Sequence, residues 1–157
     1  MDELKNNTAF ITGAAGGIGL GMARTFAKAG MNVVISDIQR EQLAVAEAEL
    51  NAITDNVLAL VVDSTSPDSL KQAAARIEQS FGALHVLCNN AGIGGGAKIL
   101  DTEDEKWRNV MDVNFSGPLN GINQFLPGML EHGEAAHIVN TSSFSGIQGH
   151  GHQSAYG

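Results

Sequence analysis

Five short apolar segments, at residues 8–12, 32–36, 57–62, 84–89 and 136–141, are separated along the chain by stretches of helical spacing. A strand that is wet on one face alternates apolar and polar residues. A strand covered on both faces reads as a nearly continuous apolar run, and these five are mostly of that kind. Such strands, each followed by a helix, build βαβ units into a parallel sheet with helices on both faces. The predicted fold class is therefore α/β, a doubly wound parallel sheet that stops after its fifth strand. Residues 1–157 are read as one domain, since no linker or low-complexity tract divides them and the length suits one domain rather than two.

The helical stretches carry their own signals. Ile18, Met22, Phe26 and Ala29 recur on one face before a stop at Gly30, and Leu43, Ala46 and Leu50 mark a face of the second helix. Ser66 reads as an N-cap with Pro67 at the first helical position. Thr102-Glu103-Asp104-Glu105 reads as a capping box with acids at the positive end of a helix. Trp107, Val110 and Met111 read as that helix's apolar face. A further helix is predicted from about 115 to 131, with Pro118 in its first turn.

Charge removes several function classes. The chain has 9 basic and 17 acidic residues, a net charge of -8. Nucleic acid and anionic membrane surfaces are bound through clustered Lys and Arg, so neither is expected as a partner. The longest apolar run, 57–62, falls far short of the ~18 residues that suggest a membrane span. Residues 1–7 lack a basic stretch followed by an apolar core, so no signal peptide is expected there. The single cysteine, Cys88, excludes an intrachain disulfide and suits a reducing, cytoplasmic setting.

Glycine is the compositional outlier, with 19 in 157 residues, clustered at 13–21, 92–96 and 146–157. The first cluster, Thr12-Gly13-Ala14-Ala15-Gly16-Gly17-Ile18-Gly19, joins a predicted strand to a predicted helix. Glycines 13, 17 and 19 can divide three tasks: a tight reversal, close approach of a pyrophosphate to the backbone, and packing of the helix on the strand. Amides at the start of that helix, with its dipole, attract phosphate. Asp37 ends the second strand, 24 residues after Gly13. An acid there accepts hydrogen bonds from an adenosine ribose and repels a 2′-phosphate, which favours NAD over NADP. Arg40 lies nearby and pulls the other way. Asp63 and Ser64 end the third strand and face the same crevice in a parallel sheet.

Further on come Asn89-Asn90-Ala91-Gly92, then Asn114, then Ile138-Val139-Asn140-Thr141-Ser142-Ser143 and Tyr156. With these motifs the chain resembles the short-chain dehydrogenase/reductase family over essentially its whole length. The resemblance implies a Rossmann-like fold with strand order 3-2-1-4-5. It implies a pyrophosphate at Gly13, Gly17, Ile18 and Gly19, a ribose at Asp37 and adenine at Asp63 and Ser64. Asn90, Ala91 and Gly92 would run along the nucleoside, and Asn114, Ser143 and Tyr156 match the catalytic positions. Ser143 lies 13 residues before Tyr156, the family's spacing. Ser142 would point the other way if the strand continued. The substrate implied is a small-molecule secondary alcohol or ketone, and a full-length form is expected to be a homo-oligomer.

Hydride transfer belongs to the cofactor, and the protein must move one proton. A free phenol titrates at about 10, so a tyrosine acid–base needs a positive neighbour. In the family this is a lysine four residues beyond the tyrosine, a position past Gly157. An ammonium about 4 Å from the phenol is worth roughly 4 kcal/mol at an effective dielectric near 20. The chain is thus expected to be the N-terminal portion of such an enzyme, binding cofactor but with proton transfer near neutrality severely suppressed. The alternatives are a non-catalytic dinucleotide-binding module or an inactive fragment. His150 and His152 either line the substrate pocket or are solvated loop side chains. Two histidines two residues apart, with no third ligand, give no metal site. Gly94-Gly95-Gly96 is expected to form a mobile loop at the pocket mouth, and Ser142, Ser145 and Thr141 to be structural hydroxyls.

Overall fold

The computed structural model describes residues 4–156. Its strands fall on the apolar segments: β1 (Thr8–Thr12), β2 (Asn32–Asp37), β3 (Val57–Val61), β4 (Val86–Asn89) and β5 (His137–Asn140). They form one sheet in the order β3-β2-β1-β4-β5, and each neighbouring pair is parallel. This is the doubly wound sheet expected. Leu84 and Ala136, read as strand residues, instead pack on the core just outside the ladder.

Side-chain alternation splits each strand between two apolar layers. Ala9, Ile11, Val33, Ile35, Val86 and Cys88 face α1 (Gly17–Lys28) and α2 (Arg40–Asn51), where Leu20, Ala23, Ala27, Leu43, Ala46 and Leu50 meet them. Phe10, Val34 and Leu87 face α3 (Pro67–Phe81) and α5 (Gly117–Glu131), which contribute Leu70, Ala73, Ile77, Phe125 and Met129. The rings of Phe10 and Phe125 lie 5.2 Å apart between centroids, tilted by 55°. Both faces of β1, β2 and β4 being covered explains why those strands lack polar alternation, whereas β5, at the sheet edge, is exposed at His137, Val139 and Asn140. Burial also pushes the Cys88 thiol up to about 11, so it is an inert core group at neutral pH.

The helix starts test the local signals. Ser66 caps α3 as expected, its hydroxyl accepting from the Ser69 amide at 3.3 Å with Pro67 in the first turn. The capping box at Thr102 does not form. The N-cap of α4 (Asp104–Met111) is Glu103, and the Thr102 hydroxyl instead donates to the Lys98 carbonyl at 2.8 Å across the short 3-10 turn Ile99–Asp101. A hydroxyl bonded to its own preceding turn does not reach forward to a helix amide. Of the face predicted for α1, Met22 and Phe26 pack partly buried against the core, but the fully buried residues lie beside them. Gly19, Leu20, Ala23 and Ala27 are buried, while Ile18 is 68% exposed. Small residues let the helix sit close to the sheet, and they carry little hydrophobic periodicity. Val110 is the buried residue of α4, and Met111, beside it, faces outward.

The two helices predicted at 103–131 are one continuous rod. A π-helical turn, Asp112–Ser116, joins α4 to α5, and Pro118 sits in the first turn of α5. At the opposite end of the sheet, His85 Nδ1 accepts from the Thr8 amide at 3.1 Å, so Nε2 carries the proton that faces Glu134 at 3.0 Å. That bond holds the Glu134 carboxyl below its usual range. Among the described residues no helix is long and apolar enough to cross a membrane.

Phe125→Ala removes a ring from the second apolar layer and is expected to cost about 3–5 kcal/mol in urea unfolding. Leu130→Ala, on the same helix but 71% exposed, should change stability by no more than about 0.5 kcal/mol.

Candidate functional site

Strand order reverses beside β1. The chain leaves β1 for β2 on one side and returns from β3 to β4 on the other, so a crevice opens at the carboxyl ends of β1 and β4. Thr12 joins those ends. Its Oγ1 accepts from the Asn90 and Ala91 amides, both at 3.0 Å, and donates to the Cys88 carbonyl at 3.4 Å. The Asn90 carboxamide returns the contact, donating to the carbonyls of Thr12 at 3.0 Å and Gly13 at 3.2 Å. Asn90 Oδ1 accepts from Thr141 Oγ1 at 3.1 Å, which ties in the end of β5.

The glycines of this turn occupy different settings. Gly13 has φ +64°, and a Cβ there would lie 2.7 Å from Ala91 Cα. A Cβ on Gly19 would lie 2.5 Å from the Gly13 carbonyl oxygen. That glycine lets α1 close onto the turn. Gly17 has φ +55° at the first residue of α1, with open space where a Cβ would go. Gly16 caps α1 without any side-chain hydrogen bond. The first-turn amides, which no intrahelical carbonyl reaches, therefore have no side chain covering them.

The crevice has a volume of about 860 Å³. Gly13, Ile18, Asp37, Asp63, Ser64, Asn90, Ala91, Gly92, Asn114, Ser143 and Tyr156 all line it. Gly17 and Gly19 do not line it but shape the turn behind it. At one end Asp37 is held by two amides, Ala15 at 3.3 Å and Gln39 at 3.0 Å. Gln39 and Gln42 also face the crevice, and Arg40 does not. Asp63 Oδ1 accepts from the Thr65 amide at 2.9 Å and the Thr65 hydroxyl at 2.7 Å. In the middle, Asn114 sits in the π-helical turn and clasps Ile93, accepting from its amide at 2.8 Å and donating to its carbonyl at 2.9 Å.

At the other end stand Ser142, Ser143 and Tyr156. β5 stops at Asn140, so strand alternation does not apply to Ser142, and both serines reach the crevice. They differ in partners. Ser143 Oγ accepts from the Ser145 amide at 3.2 Å as the cap of a 3-10 turn. Neither His150 nor His152 lines the crevice; the His150 ring meets Phe144 edge-on at 6.0 Å. Among the described residues no group of three or more His, Cys, Asp or Glu is arranged to hold a metal ion. Of the 94–96 glycines, Gly94 lines the crevice and Gly94 and Gly96 are exposed, but Gly95 is packed. Gly95 is buried, and a Cβ there would lie 3.1 Å from both Ala155 Cβ and Val110 Cγ2.

Two polar residues of the motifs tie the strand ends together, a role the sequence does not assign them. Thr12 and Asn89 are both buried polar groups, and Asn89 donates to Asn140 Oδ1 at 2.8 Å. Nothing local marks a threonine or asparagine at a strand end, because the partner lies on another strand.

The model of the short chain dehydrogenase family matches residues 7–157. The chain belongs to that family. A C alpha-dehydrogenase of Sphingobium sp. is 34% identical over 150 residues, which are 95% of this chain and 49% of that protein. Among solved structures, a short-chain dehydrogenase/reductase from Burkholderia phymatum in complex with NAD superposes with a TM-score of 0.97 at 34% identity, covering 99% of this chain and 56% of that one. An NAD+-bound xylitol dehydrogenase gives a TM-score of 0.94 at 29% identity, covering 99% of this chain and 60% of that one. The chain thus spans about half the length of the family members it matches.

Gly19→Ala forces a methyl against the Gly13 carbonyl and is expected to cost about 1–3 kcal/mol in urea unfolding. Gly21→Ala, two residues on in α1 where nothing lies within 4 Å, should instead add roughly 0.5–1 kcal/mol. Thr12→Val keeps the shape but strips the partner from two amides, and should cost about 1–3 kcal/mol.

Proposed function

We propose that the crevice is the dinucleotide and proton-transfer site of an NAD-dependent oxidoreductase that interconverts a secondary alcohol and a ketone. One observation carries this reading: the glycine turn, Asp37 and the Ser143–Tyr156 pair open on the same cleft. Its volume of about 860 Å³ suits a ligand of dinucleotide size. The two NAD-bound relatives of matching fold support it.

The uncovered amides at the start of α1 hold the pyrophosphate, aided by the helix dipole. Gly13, Gly17, Ile18 and Gly19 give it room. Asp37, aimed by the Ala15 and Gln39 amides, accepts from the adenosine ribose. The Asp37 carboxylate repels a 2′-phosphate, which supports NAD over NADP. Asp63 and Ser64 flank the adenine, and Asn90, Ala91 and Gly92 follow the nucleoside.

When bound, the nicotinamide supplies or takes up the hydride. The chain's own residues handle the substrate oxygen and its proton. Ser143 Oγ receives the Ser145 amide, so its own hydrogen is free to be donated to the substrate oxygen. The Tyr156 phenol gives or removes the proton on that oxygen. Asn114 has both carboxamide atoms committed to Ile93. Its side chain therefore holds the segment after β4; the resemblance to the family implies that its backbone helps hold a water on the proton path.

Calorimetric titration tests the reading. NADH should saturate the chain and bind more tightly than NADPH. Asp37→Ala should lower the NADH:NADPH preference about 10-fold or more, as charge-assisted hydrogen bonds of ~1.5–3 kcal/mol are lost. An unchanged preference removes Asp37 from the ribose site, and failure of the folded chain to bind either dinucleotide overturns the function.

A further inference from the structure

We propose that Ser145 and Gln153 form a positioning pair that sets the Tyr156 phenol against the Ser143 hydroxyl. The inference rests on the function proposed above, in which those two groups share a substrate oxygen.

Ser143 and Tyr156 sit at opposite ends of a segment that holds a 3-10 turn, Phe144–Gly146, and two further glycines, Gly149 and Gly151. A glycine-rich segment does not hold its ends in register by backbone preference. A side-chain bond does so here. Ser145 Oγ donates to Gln153 Oε1 at 2.9 Å, across eight residues. Each member is one hydrogen bond from a site group. The Ser145 amide donates to Ser143 Oγ at 3.2 Å, and the Tyr156 amide donates to the Gln153 carbonyl at 3.0 Å. The path from the Ser143 hydroxyl to the Tyr156 backbone amide therefore runs Ser143, Ser145, Gln153, Tyr156.

The neighbouring residues do a separate job. Ser154 Oγ lies 3.0 Å from the Ala97 carbonyl and 2.8 Å from Thr102 Oγ1, and its one hydrogen goes to either of them. Ala155 packs against Gly95. These contacts fasten the Tyr156 segment to the chain that follows β4, not to the Ser143 turn. Besides the edge-on Phe144–His150 ring contact, Ser145–Gln153 is the side-chain link, among the described residues, between the Ser143 turn and the Tyr156 segment. Both residues are half-buried, and neither lines the crevice, so neither acts on the substrate directly.

Tyr156 is the single tyrosine, so a tyrosine-selective isotope label reports this one ring by NMR. Ser145→Ala and Gln153→Ala should each move the ring resonances, and the double variant should move them no further than the larger single change, as coupled partners require. Ser145→Thr, which keeps the hydroxyl, should restore the wild-type positions. The shift induced by saturating NAD+ should fall by about half or more in the alanine variants, while the Kd for NAD+ stays within about twofold, because the glycine turn is untouched. Ring resonances that ignore both alanine substitutions, or shifts that simply add in the double variant, overturn the pairing. A wild-type ring that NAD+ leaves unmoved, with the alanine effects intact, supports the pairing and counts against the proposed function instead.

Discussion

One hydroxyl holds the site together. Thr12 Oγ1 takes two amides from the end of β4 and gives its own hydrogen back to that strand. Parallel strands have no turn between them to set their relative ends, so the place where β1 and β4 part must be pinned by side chains. Thr12 does this from one side and the Asn90 carboxamide from the other. With both in place the backbone at Gly13 comes so near Ala91 that only glycine fits. The same closeness demands Gly19, which otherwise meets the Gly13 carbonyl and Asn90 at once. The glycine pattern follows from the strand junction as much as from any ligand.

From that junction the crevice is extended by the loops after β4 and β5. Asn114, in the π-helical turn, grips Ile93, and the buried Gly95 brings the same loop against Ala155 beside Tyr156. Thr141 bonds Asn90, and Ser143 caps the turn that starts the run to Tyr156. Each loop is thereby fastened to another rather than to the sheet alone. The functional end of the molecule is a knot of polar contacts on an apolar sheet. The far end, with His85 between Thr8 and Glu134, closes the bottom of the same strands and takes no part in the cleft.

Much of this is legible in the sequence, for reasons that particular residues make clear. Strands buried on both faces leave unbroken apolar runs, so β1, β2 and β4 and their parallel arrangement are readable; β3 and β5, at the sheet edges, have the same apolar look although they are less buried. Ser66-Pro67 marks a helix start because both act through local backbone geometry. The family motifs name residues that line one cleft, although no single motif says so. What is not legible depends on partners distant in sequence. Thr102 has the pattern of a cap but its hydroxyl is taken by Lys98. Ile18 has the look of a core residue but lies on the cleft side, while Gly19, Ala23 and Ala27 are buried beside Leu20. The π-helical turn leaves no pattern, and the triple glycine suggests mobility where Gly95 in fact provides close packing. Thr12 and Asn90 matter because of strands brought together from more than 70 residues apart.

Backbone amide NMR of the isotopically labelled chain, titrated with NADH, tests the central claim most directly. Binding in the cleft should move the amides of Gly13–Gly19, Asp37, Asp63, Ser64, Asn90–Gly92 and Ser143 together along one saturating curve, and leave those of His85 and Glu134 still. Shifts centred anywhere other than the β1–β4 junction, or none at all in a folded chain, would contradict it.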